Sequence, residues 1–209
     1  MKREHTATDK NKNFENELDA SFWNERWRTE QTGWDVGYAS PPVTHYIDQY
    51  ENKNAALLIP GCGNAYEAEY IVKKGFTNIT LVDISEVAVS KLKNKFKGLS
   101  QIKVICEDFF KHEGKYDLII EQTFFCAQVL ERRKEYVEKM HSILNNKGRL
   151  AGVLFGVVFE KPGPPFGGEE MEYRVLFEPY FHIHKMEACY NSIPPRAGAE
   201  LFINLEKKG

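Results

Sequence analysis

A mostly parallel α/β sheet is the architecture this sequence predicts, and three observations predict it. From residue 55 onward, short apolar runs alternate with stretches of helical period, the pattern of strands joined by crossover helices. The first run ends in the turn Pro60-Gly61-Cys62-Gly63-Asn64, and the second ends in Asp83, twenty residues after Gly63. The chain then closes with two strand-like runs, about 181–189 and 199–206, that fit an antiparallel hairpin at the edge of a seven-stranded sheet.

The elements follow in order. Residues 1–12 are polar and charged without periodicity and are expected to be disordered. Over 14–28, Leu18, Phe22, Trp23 and Trp27 recur at helical spacing, and this helix is expected to stop near Thr32 and Gly33. Pro41 and Pro42 restart the chain for a short helix over 43–50. Strands are expected at 55–59, 78–82, 101–106, 115–120 and 148–155. Helices are expected at 65–74, 86–97 and 128–144, the last stopped by residues 145–148, with one more near 168–177 before the hairpin. Residues 13–209 then form a single domain in which about 13–52 is a helical lid.

Composition excludes several functions. Among 209 residues the net charge is −2 with both signs interspersed, so there is no footprint for a nucleic-acid backbone and no basic helix for a membrane surface. The longest apolar run, 150–159, is too short to span a bilayer, and no charged start leads into an apolar core. A soluble, cytoplasmic, monomeric protein acting on a small molecule is expected. Cys62, Cys106, Cys126 and Cys189 lie far apart without a C-x-x-C pair, which fits reduced thiols. His182 and His184 share a strand face but have no third ligand nearby, so no metal is expected.

Function is read first from the glycine turn. In a strand, turn and helix unit the glycines let backbone approach a ligand, and an acid ending the second strand can accept from both hydroxyls of a ribose. Gly61, Gly63 and Asp83 fill those places. A tight turn alone would explain the glycines but not the acid at that distance. A dinucleotide fingerprint also needs a third small residue, so that the helix N-terminus meets a pyrophosphate, and here that position holds Tyr66. S-Adenosylmethionine carries ribose and adenine without phosphate, so it fits where NAD does not. An NAD-dependent oxidoreductase and a non-catalytic nucleoside-binding protein share the strand, turn and acid, and remain the competing classes.

Ligands of such sheets lie beyond the carboxyl ends of the strands. After the third strand, Asp108 can accept from an adenine amino group and Phe109 can cover the ring; Asp108 as the cap of the next turn is the plainer alternative. After the fourth, Gln122, Thr123, Phe124 and Phe125 should lie near the reacting methyl, although a Phe pair is more often core.

A resemblance then joins these pieces. Trp23-x-x-x-Trp27, Gly33-Trp34-Asp35, Pro60-Gly61-Cys62-Gly63, Val82-Asp83-Ile84-Ser85 and Tyr116-Asp117-Leu118-Ile119 occur in that order. They are followed by Thr123-Phe124-Phe125-Cys126-Ala127, Gly163-Pro164-Pro165-Phe166 and Ser192-Ile193-Pro194-Pro195-Arg196. Together, over about 21–205, they resemble the thiopurine S-methyltransferase family, and within it the plant-type halide, thiocyanate and thiol methyltransferases. The resemblance implies a Rossmann-like class I fold that uses S-adenosylmethionine, with cofactor roles for Trp23, Trp27, Trp34, Gly61, Asp83, Asp108, Phe109 and Gln122. Gly63 joins them from the glycine turn. It also implies that the tryptophan-bearing segment lids the pocket.

Where the thiopurine branch has Asp-Arg after the fourth strand, this chain has Glu121-Gln122, and the plant branch has Asp-Tyr. The arginine credited with assisting thiopurines is therefore absent. The expected nucleophile is small and soft, a thiol, hydrosulfide, thiocyanate or halide, with an aromatic thiol as the alternative. Substrate-pocket candidates are Trp34, Thr123, Phe124, Phe125, Phe166 and Arg196, with Tyr38 a weaker one.

Overall fold

The computed structural model describes residues 18–161 and 163–209. The tail expected over 1–12, and the first residues of the helix expected from 14, lie outside the described residues. The strands are β1 (Leu57–Pro60), β2 (Ile79–Asp83), β3 (Ile102–Cys106), β4 (Tyr116–Gln122), β5 (Leu144–Phe155), β6 (Phe181–Ala188) and β7 (Glu200–Lys207). They form one sheet in the order β3-β2-β1-β4-β5-β7-β6. β1 to β5 pair in parallel, and β7 runs antiparallel to both β5 and β6.

The central strands β1 and β2 are buried at every position, which is why they read as unbroken apolar runs rather than alternating ones. The helices are α1 (Ala20–Arg28), α2 (Pro41–Gln49), α3 (Tyr66–Lys73), α4 (Glu86–Lys95), α5 (Arg133–Ile143) and α6 (Glu170–Phe177). Two apolar layers sandwich the sheet. Val43, Ile47, Ala68, Ile71 and Leu92 bring α2, α3 and α4 to one face, while Tyr136, Met140, Tyr173 and Phe177 bring α5 and α6 to the other. Each of the larger aliphatic and phenyl side chains among them, fully buried, contributes roughly 1.5–3 kcal/mol.

Three boundaries depart from the sequence reading. The helix expected from 128 begins at Arg133, because residues 125–127 and 130–132 form two tight 3₁₀ turns that bury Phe125 and Val129. Residues 145–148, read as a helix stop before a strand at 148, instead form a bulge within β5. Leu144 already pairs with Tyr116, and regular pairing resumes with Arg149 opposite Leu118. Finally, α2 starts at Pro41, with both prolines in its first turn, where a missing N–H costs nothing.

Candidate active site

A cavity of about 540 Å³ opens over the carboxyl ends of β1, β2 and β4, within the range that holds a cofactor or substrate. Its base is the glycine turn. Gly61 has φ +55, and a Cβ there would fall 2.2 Å from a Phe124 ring carbon, so both the backbone and the ring require glycine. Asp83 holds this turn in place. Its carboxylate is 8% exposed and accepts the Gly63 N–H at 3.0 Å on one oxygen and the Ser85 N–H at 2.9 Å on the other. Burial raises its pKa, while those two backbone bonds oppose the rise.

Asp108 caps the turn after β3, the plainer of its two sequence alternatives. It accepts the Phe110 N–H at 3.0 Å as the cap of a 3₁₀ turn, and it also lines the cavity beside Phe109. Next to it, Glu107 pairs with His112, whose other ring nitrogen lies 2.7 Å from the Tyr116 hydroxyl. Phe109 meets Phe124 edge-on at 5.1 Å, joining the walls contributed after β3 and β4.

The tryptophans form the opposite wall. Trp34 makes T-shaped contacts with Trp23 at 5.5 Å and Trp27 at 5.9 Å, each worth about 0.5–1.5 kcal/mol beyond its burial. Six hydrogen bonds through four side chains hold this segment to the turns and helix starts around the sheet. Asn24 accepts from the Ser85 hydroxyl at 2.8 Å and the Val87 N–H at 3.2 Å, and Asp35 accepts from the Asn64 amide and from the Tyr66 hydroxyl at 3.3 Å. Buried Glu67 accepts the Ser40 N–H at 3.0 Å, and Arg196 donates to the Trp34 carbonyl at 2.9 Å. Burial raises the Glu67 pKa.

Most of the residues singled out from the sequence meet here. Trp23, Trp27, Trp34, Gly61, Gly63, Asp83, Asp108, Phe109, Thr123, Phe124 and Arg196 all line the one cavity. Gln122, Phe125 and Phe166 do not. Gln122 is the last residue of β4, and its Oε1 is buried with no hydrogen-bond partner among the described residues. Phe125, 1% exposed, packs among Tyr136, Tyr173 and Phe177, and Phe166 lines a separate open groove on the α6 side. Tyr38 is 49% exposed and stands outside the cavity lining. The chain between β5 and α6 contributes Gly163, Pro164 and Pro165.

Asn24 and Asp35, which brace the tryptophan wall, were not among the candidate site residues. Asn24 carried a signal, being a polar residue on the apolar stripe between Trp23 and Trp27. Among the described residues no group of His, Cys, Asp and Glu could hold a metal, and no helix is long and apolar enough to cross a membrane.

Five parallel strands closed by an antiparallel pair, with a glycine turn and an acid-ended β2 beneath the cavity, define an S-adenosylmethionine-dependent methyltransferase. The same fold occurs in the 1,6-didemethyltoxoflavin-N1-methyltransferase of Burkholderia thailandensis, solved with 1,6-didemethyltoxoflavin and S-adenosylhomocysteine bound. It superposes with a TM-score of 0.72 at 17% identity, covering 91% of this chain and 87% of that one. The family model of thiopurine S-methyltransferase matches residues 18–204, and the chain belongs to that family. Among its relatives, probable thiol methyltransferase 2 of Arabidopsis thaliana is 30% identical over 85% of this chain and 81% of its own length. Thiocyanate methyltransferase 1 of the same plant is 27% identical over the same shares. Thiopurine S-methyltransferase of Photobacterium profundum is 24% identical over 77% of this chain and 83% of its own.

Proposed function

We propose that the protein transfers the methyl group of S-adenosylmethionine to a small, soft nucleophile: a thiol, hydrosulfide, thiocyanate or halide. The cofactor half of this reading is carried by Asp83, a buried carboxylate that faces the cavity with one backbone N–H on each oxygen. Each oxygen keeps a lone pair for a ribose hydroxyl. Asp108 and Phe109 would take the adenine, and Gly61 and Gly63 would let backbone approach the ligand. Trp23, Trp27 and Trp34 act as the lid.

When bound, S-adenosylmethionine supplies a methyl on a sulfonium sulfur, an electrophile that needs no further activation. The chain therefore has to position and desolvate the nucleophile in line with that methyl, and no general base is required for an anion. Thr123 and Phe124 present an aromatic and polar floor facing Trp34, while the Arg196 guanidinium, tied to Trp34 and paired with Glu200 at 3.5 Å, draws an anion inward. A polarisable, weakly hydrated anion sheds water at the lowest cost in such an enclosure.

The absence of arginine after β4 weighs against bulky aromatic thiols, and the names of the plant relatives support the small-nucleophile branch. The test is kcat/KM for thiocyanate, iodide, hydrosulfide and a thiopurine in one buffer. Preference for the thiopurine by a large factor would move the protein to the other branch, and saturable NADH binding without S-adenosylhomocysteine binding would remove the cofactor assignment.

A further inference from the structure

Glu121 is a buried carboxylate next to the end of β4 that neither the cofactor contacts nor the substrate contacts above employ. It is 0% exposed and does not line the cavity. One oxygen accepts the N–H groups of Phe124 at 2.7 Å and Phe125 at 2.9 Å, and the other accepts the Tyr136 hydroxyl from α5. Above it, Thr123 sits at φ +59, a left-handed conformation that a β-branched residue holds only when its surroundings impose it. The ring that follows, Phe124, is the one a side chain at Gly61 would strike, so the turn after β4 and the turn after β1 interlock. Glu121 itself has no slack: Gly152 is its partner on β5, and a Cβ there would fall 1.9 Å from the Glu121 carbonyl oxygen.

We propose that Glu121 is a positioning residue for methyl transfer, fixing the 123–125 turn against the glycine turn from beneath the active-site floor without touching either ligand. This rests on the assignment of Thr123 and Phe124 to the reacting end of the cavity. Two backbone donors and one hydroxyl converge on a single buried charge, which makes the turn stiff at the cost of desolvating that charge. Burial lifts the Glu121 pKa to about 7 against those three hydrogen bonds. The titratable groups facing it are the Tyr136 phenol and the Cys126 thiol, both held neutral because burial raises their pKa values. Protonation near neutrality therefore weakens the three bonds together and loosens the turn.

The test uses full-length wild type, Glu121→Gln and Glu121→Ala. Thiocyanate does not titrate near neutrality, so a pH dependence of kcat with it belongs to the protein. Wild-type kcat should rise roughly fivefold as pH passes about 7, while Glu121→Gln should stay flat near the low-pH level, because a neutral amide mimics the protonated acid. Glu121→Ala should lose kcat by about 100-fold, with the affinity for S-adenosylhomocysteine changed by less than about threefold. An alanine variant that folds and keeps wild-type kcat, or loses kcat and cofactor affinity equally, overturns the inference. If the alanine variant does not fold, the glutamine variant decides, and a pH profile superposable on wild type overturns it. Wild-type inactivity on every nucleophile would refute the substrate assignment alone. Amide hydrogen exchange at Phe124 and Phe125 then decides the role of Glu121: protection lost in the glutamine variant at pH 8 supports it, and protection unchanged overturns it.

Discussion

Asp83 at the end of β2 and Glu121 near the end of β4 are both buried carboxylates that accept two backbone N–H groups. Both hold a turn in which a residue has positive φ, Gly63 at +51 in one case and Thr123 at +59 in the other. What separates them is what lies on the far side. Asp83 lines the cavity, whereas Glu121 is sealed from it and spends its second oxygen on Tyr136. One carboxylate keeps a lone pair on each oxygen within reach of a ligand, and the other uses three of its four acceptor sites on the protein itself. The same chemistry therefore binds at one strand end and builds at the other, and access alone decides which.

Asp83→Ala should break this comparison most sharply. Two charge-assisted hydrogen bonds to a ribose, at roughly 1.5–3 kcal/mol each, disappear along with the support of the Gly63 N–H. Calorimetry with S-adenosylhomocysteine should show affinity reduced by about 100-fold or more. Unchanged affinity would remove Asp83 from the site.

The next largest effect isolates Glu121 through pH. Glu121 has a folded pKa of about 7, above its ordinary value of 4.5, so the folded protein holds a proton that the unfolded chain has released. The stability this confers is fully present below about pH 4.5 and is lost as pH rises to about 7, a change on the order of 3 kcal/mol. Glu121→Gln titrates nothing there. Urea unfolding of the two proteins should give stability differences that move in favour of the glutamine variant between pH 4.5 and 7 and stay constant above it. Parallel pH dependences would mean that Glu121 is not the buried titrating group.

Why one acid was legible in the sequence and the other was not follows from the same contrast. Asp83 stands at a fixed distance from Gly63 after a strand, and the apolar runs that became β1, β2 and β4 announce themselves because central parallel strands are apolar on both faces. Glu121 follows an apolar run too, but its partners are two N–H groups of a turn and a hydroxyl on α5, which no spacing encodes. Gln122 was expected in the pocket because it follows the strand. In fact β4 continues through it, pairing Gln122 with Val153, and it stands behind the lining. Asn24, Asp35 and Glu67 were hidden for a different reason: each hydrogen bond they make spans more than twenty residues, apart from the local Asp35 turn to Gly37. The place of the tryptophans at the cavity was suggested by the family resemblance, since their helical spacing alone fits a packed helix equally well.

Gly61→Ala tests whether the two turns interlock. The added methyl meets Phe124 at 2.2 Å and forces alanine to φ +55, so the ring must swing out of place. Strain of about 1–3 kcal/mol should lower the melting temperature by several degrees and turnover more than tenfold. Gly63→Ala is the control, since its nearest ring atom would lie at an ordinary 3.5 Å and only the backbone strain remains. Equal losses of turnover in both variants would show that the Phe124 contact is irrelevant.

The smallest effect belongs to the segment that crosses over both turns. Asn24 ties α1 to Ser85 and Val87 through one side-chain oxygen, while the sheet beneath is held by side chains 0–2% exposed, such as Leu58, Ile59, Leu81 and Ile119. Asn24→Ala should therefore cost about 1 kcal/mol locally and little globally, because a frayed α1 leaves the core intact. Trp23, Trp27 and Trp34 are the only tryptophans in the chain, so tryptophan fluorescence, excited selectively over tyrosine, reports on this segment and not on the sheet. The expected outcome is a fluorescence transition in urea shifted to lower concentration in Asn24→Ala, while circular dichroism of the sheet unfolds at the wild-type midpoint. S-Adenosylhomocysteine should close that gap if the segment covers the ligand, since a ligand stabilises only the state that binds it. Coincident fluorescence and circular dichroism transitions in the variant would mean that segment and sheet unfold as one unit, and that the tryptophan wall is core rather than lid.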